Sequence, residues 1–92
     1  MSSQRITRLR RRIAQLRLRK ANVGAQELRR LALSIGRRPG KRGKEPTFVM
    51  KPRPPLTIPH HGKMRKINKN TVGDILDQLE EDLDYLEEMS DV

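Results

Sequence analysis

The chain has 92 residues, a net charge of +10, no cysteine and only two aromatic side chains, Phe48 and Tyr85. A chain of this length builds one small domain with a modest core and room for one appended element. The composition excludes disulfides and thiolate metal sites. It also excludes the aromatic stacking platforms of single-strand binders and any apolar run near the ~20 residues that cross a bilayer.

The net charge hides a segregation. All 21 Lys and Arg lie within residues 1–70, where the acids are Glu27 and Glu45 alone. Residues 71–92 carry nine acids and no base, so the two parts hold 21 − 2 = +19 and −9. A block of that sign and density suits phosphate backbones, and its plainest alternative is a solvated basic arm. The first twenty residues are rich in arginine and lack the apolar stretch of a secretory signal. The expectation is a cytosolic protein with no membrane partner.

In chain order, residues 4–20 place Ile6, Leu9, Ile13 and Leu16 on one stripe of a helix whose other faces are arginine. Asn22-Val23-Gly24 reads as a break. A second helix is expected from Ala25 to Ile35, burying Leu28, Leu31, Ala32 and Ile35, with Gly36 suited to the left-handed position beyond its end. Residues 37–46 contain no aliphatic side chain and read as a basic loop. Thr47 to Lys51 and Leu56 to Pro59 read as short strands, separated by a turn that Pro52, Pro54 and Pro55 enforce. Residues 62–70 form a second basic connection. A last helix, capped by Asn70 or Thr71 with Asp74 in capping-box position, carries the stripe Val72, Ile75, Leu76, Leu79, Leu83 and Leu86.

This order predicts a small α+β domain: an antiparallel sheet of two or three strands, helices packed on one face, and an extra basic N-terminal helix. The division is residues 1–21 for the basic amphipathic helix and residues 22–92 for the α+β domain with its acidic final helix. The outer helices carry opposite charges beside apolar seams, which favours pairing within one chain or across a homodimer. The alternative is an arginine-rich arm that folds only on nucleic acid.

Two loops concentrate phosphate-seeking side chains. Arg37, Arg38, Lys41, Arg42 and Lys44 occupy the first; Lys63, Arg65, Lys66 and Lys69 occupy the second, which leads into a helix N-terminus with its free N–H groups. The Gly40-Lys41 pair does not make a nucleotide-phosphate loop. Its spacing from Gly36 is one residue short, and Arg42 stands where a magnesium-binding Ser or Thr belongs.

The run Ile58-Pro59-His60, the basic turn after it, and Thr71, Ile75 and Leu76 in the next helix resemble the C-terminal half of the HicA-type toxins. These are small RNA-cutting proteins of bacterial toxin–antitoxin systems. The resemblance covers about residues 25–85. It implies a fold of helix, three strands and helix related to double-stranded RNA-binding domains, RNA as partner, and a protein antitoxin over the basic face. The family's first strand falls at residues 37–42, where Pro39 and Gly40 leave it short or missing. The family carries its catalytic histidine in a Gly-Ser-His step. The equivalent here is Gly43-Lys44-Glu45, and no histidine occurs before His60.

Metal-independent strand cleavage needs a base for the 2′-hydroxyl and an acid for the leaving oxygen, tasks that suit histidine at neutral pH. Three readings stay open: Glu45 as the base, His60 or His61 as the substitute, or binding without cutting. Adjacent residues of a strand face opposite ways, so His60 and His61 do not chelate a metal together, and no third ligand accompanies them. Neither a metal nor another cofactor is expected.

Overall fold

The structure is a computed structural model that describes residues 2–40, 47–59 and 67–90. Helix α1 spans Ser3–Arg17. Ser2 caps it, its side-chain oxygen accepting the Arg5 N–H at 3.3 Å. Ile6, Ile13 and Leu16 are buried along its stripe. The stripe stops at Leu18, which is 90% exposed. A 3-10 turn at Lys20–Asn22 then redirects the chain, and Val23 is buried behind it.

Helix α2 spans Ala25–Ile35 and buries Leu28, Leu31, Ala32 and Ile35. It ends in a Schellman arrangement. The Gly36 N–H donates to the Leu33 carbonyl at 3.2 Å and the Arg37 N–H to the Ala32 carbonyl at 3.0 Å. Gly36 sits at φ +123°, a backbone state that a side chain would strain.

The sheet follows as β1 (Arg38–Pro39), β2 (Thr47–Val49) and β3 (Leu56–Thr57), antiparallel in the order β1-β2-β3. The strand expected to be short or missing is present at two residues. Pro39 is tolerated because β1 is an edge. Gly40 passes so close that a Cβ there would meet the Thr47 carbonyl oxygen at 3.1 Å. Phe48 opposes Pro39 on one side and Leu56 on the other. Phe48, Leu56 and Ile58 all turn into the core.

Helix α3 spans Lys69–Ser90. It begins two residues ahead of Thr71 because Asn68 is its cap: the Asn68 side chain accepts the Asn70 N–H at 2.7 Å and its carbonyl takes the Val72 N–H at 2.9 Å. Val72, Ile75, Leu76, Leu79 and Leu83 are buried as the stripe requires, and Asp82 is buried with them.

All three helices and the sheet share one hydrophobic cluster, to which α1 contributes Ile6, Ile13 and Leu16. The expected helix pairing is made within the chain. Arg10 of α1 reaches Asp84 at 2.7 Å and Glu87 at 3.5 Å; Arg17 reaches Asp77 at 2.8 Å and Glu80 at 3.1 Å. A homodimer built through the same seams would first have to lift α1 off α3. Among the described residues no helix is long and apolar enough to cross a membrane.

Candidate nucleic-acid interface

The ion pairs sort the cations into two groups. Arg10, Arg17, Arg19, Arg37 and Arg53 are bound to acids, and those bonds engage Asp77, Glu80, Glu81, Asp82, Asp84 and Glu87 of α3 together with Glu27. Burial works against the charge of Arg17, yet its hydrogen bonds to Asp77 and Glu80 hold the guanidinium above the ordinary arginine range. Arg53 is raised as well, chiefly by its bond to Asp82.

The remaining described cations make no ion pair with a described acid. They are Arg5, Arg8, Arg11, Arg12, Arg29 and Arg30 on the first two helices, with Lys20, Arg38, Lys51 and Lys69 elsewhere. Only Asp74 and Glu88 remain unpaired among the described acids. Six of the eight described acids of α3 are paired with arginines, mostly in partly exposed pairs, and the described charge left unpaired is mainly positive.

Of the nine residues expected to contact phosphate, the described set contains Arg37, Arg38 and Lys69. Arg38 lies exposed on the edge strand β1, and Lys69 is exposed in the first turn of α3, at the positive end of the helix dipole. Both placements suit an anion in solvent. Arg37 does not belong with them. Its side chain is buried beside an equally buried Asp82, bonded through Nε to Oδ2 and through Nη2 to Oδ1 at 2.9 Å. Its Nη1 donates to the Phe48 carbonyl at 2.8 Å and the Pro54 carbonyl at 2.9 Å. Neighbouring residues of an extended segment face opposite ways, which sends Arg38 outward and Arg37 into the core. Lys41, Arg42, Lys44, Lys63, Arg65 and Lys66 lie outside the described residues. So do the three candidate catalytic residues, Glu45, His60 and His61.

The knot around Asp82 is the feature that sequence reasoning missed. Arg53 completes it, donating from Nε to Asp82 Oδ1 at 2.8 Å and from Nη2 to Gln78 at 3.3 Å and Glu81 at 3.2 Å. It joins the chain just after α2, the middle strand, the proline turn and α3. A signal was present: Asp82 falls on the apolar stripe, three residues after Leu79 and just before Leu83. A carboxylate there needs an internal cation. Among the described residues, no group of three or more His, Asp or Glu is placed to hold a metal ion. Comparison of the chain with protein-family models, with curated proteins and with solved structures finds no match.

Proposed function

We propose that this chain is an RNA-binding protein of the HicA-toxin-like kind that acts in the cytosol. The observation that carries the binding claim is the sorting of charge. Four arginines, Arg10, Arg17, Arg37 and Arg53, engage six acids of α3, so the charge left unpaired among the described residues is mainly cationic, Arg38 and Lys69 included. Arg38 lies near the start of the first basic stretch and Lys69 near the end of the second, and between them the two stretches add Lys41, Arg42, Lys44, Lys63, Arg65 and Lys66. The two described aromatic residues form no stacking platform together, since Phe48 is buried in the core and leaves Tyr85 alone partly exposed. Recognition then rests on backbone and shape, the mode of double-stranded RNA binders.

In this reading strand scission falls to His60, His61 or Glu45, and a protein antitoxin covers the basic face. Binding without cutting is the second reading. It is favoured by the absence of histidine before His60, so that the step resembling Gly-Ser-His holds Glu45 instead. The test is metal-free incubation with end-labelled structured RNA, resolved on native and denaturing gels. A cutter releases fragments that His61→Ala or Glu45→Ala abolishes. A binder shifts the RNA and leaves it intact. RNA that is neither shifted nor cut overturns the proposal.

A further inference from the structure

The flank of α1 turned away from α3 is as informative as the docked one. Arg10 and Arg17 face α3 and are neutralised there. Arg5, Arg8 and Arg12 recur at helical spacing on the opposite flank, where α2 runs alongside. Two adjoining hollows mark the groove between these helices. One, of about 440 Å³, is lined by Arg5, Arg8, Leu9 and Ser34 among others. The other, of about 200 Å³, is lined by Leu9, Arg12, Arg30 and Ser34 together with Glu27. Glu27, the one acid in the groove, is already held by Arg19 at 3.1 Å. Arg5 is anchored by donating to the Ser34 carbonyl at 3.0 Å, while Arg8, Arg12 and Arg30 have no acidic partner among the described residues.

We propose that the α1–α2 groove is a second phosphate-binding surface, which seats one strand of a nucleic-acid backbone on Arg8, Arg12 and Arg30, with Arg5 at its end. This rests on the RNA-binding reading and extends it to a surface that the two basic loops do not include. Three arguments select the occupant. The cations of the groove are all arginine, whose planar fork binds phosphate oxygens in pairs. Arg5 to Arg12 spans about 10 Å at 1.5 Å of rise per residue. A row of that length meets about two consecutive phosphates of one wound strand, and Arg30 on α2 can reach a further one. The groove also lacks an aromatic or large apolar pocket for a protein anchor, and Leu9 and Leu31 supply only a narrow floor. Contact is therefore independent of base sequence.

The test compares the full chain with Arg8→Gln/Arg12→Gln/Arg30→Gln and with a loop variant, Lys63→Gln/Arg65→Gln/Lys66→Gln. Binding to a fluorescent RNA hairpin is followed by anisotropy across a salt series, with helix content and melting checked by circular dichroism. The groove variant should keep its helix signal and lower the slope of log K against log salt by roughly 2 to 3, about one for each lost phosphate contact. If the triple variant does not fold, single Arg8→Gln and Arg12→Gln changes should each lower the slope by about 1. A groove variant that binds like the parent while the loop variant weakens overturns the groove and leaves RNA binding standing. A parent chain that does not bind the hairpin overturns RNA binding itself. Equal competition by polyglutamate of matched charge overturns the nucleic-acid assignment.

Discussion

Arg37 and Asp82 show what a single residue's burial decides. At 1% and 0% exposure, neither charge reaches water, so Arg37 depends on Asp82 and on the carbonyls of Phe48 and Pro54, and Asp82 on Arg37 and Arg53. Removing one partner of a buried pair leaves an uncompensated charge, at a cost of about 3–5 kcal/mol. Arg37→Met leaves Asp82 its bond to Arg53, so it should show a loss toward the lower end of that range in urea titration. Replacing both charges by apolar groups often restores stability elsewhere. Here Arg37→Met/Asp82→Leu should stay below the parent, because the Phe48 and Pro54 carbonyls lose their donor at about 1–3 kcal/mol for a stranded buried group. Full recovery in the double variant would show that neither those two bonds nor the Arg53–Asp82 pair adds to stability. Arg17 and Arg53 bring no pH dependence near neutrality. Their folded pKa values are raised above the ordinary arginine value, so their contribution is fully present below that ordinary value and is lost only as pH climbs through the raised one.

At the scale of elements, α1 is held by burial, and its ion pairs add direction. Leu16 is buried in the shared core, whereas Leu18 stands in solvent. Leu16→Ala should cost about 2–5 kcal/mol in chemical denaturation, and Leu18→Ala should fall within about 0.5 kcal/mol of the parent. The Arg10 and Arg17 pairs are partly exposed, so each is worth about 0.2–1 kcal/mol and weakens with salt. Arg17→Gln should therefore lose less than about 1 kcal/mol, and less again in high salt. A loss of Leu16→Ala size from Arg17→Gln would mean that charge rather than burial docks the helix.

The helices were legible in the sequence because the 3.6-residue apolar period and the Gly36 stop are local signals that packing then reinforced. The short strands were legible through Phe48, Leu56 and Ile58 and through the prolines between them. Four features were not. Asn68, not Asn70 or Thr71, starts α3, since three neighbouring polar residues offer similar caps and geometry selects one. Ile67 is buried although it sits in a basic stretch. Arg37 looked like its neighbour Arg38, and only the alternation of the extended chain separates them. The groove between α1 and α2 depends on how two helices meet, which no single stretch of sequence encodes.

Across the described molecule, charge is sorted by pairing. Arginines of α1, of the chain after α2 and of the proline turn engage six acids of α3, mostly at the surface, and the described charges left unpaired are mainly cations. That arrangement makes a polyanion the natural partner and makes salt the natural probe. The most direct measurement is the affinity of the full chain for a structured RNA between 50 and 200 mM salt, without metal. With about six to ten phosphate contacts, affinity should fall by roughly three to five decades across that range. Binding that ignores salt, or no binding at 50 mM, would contradict the account.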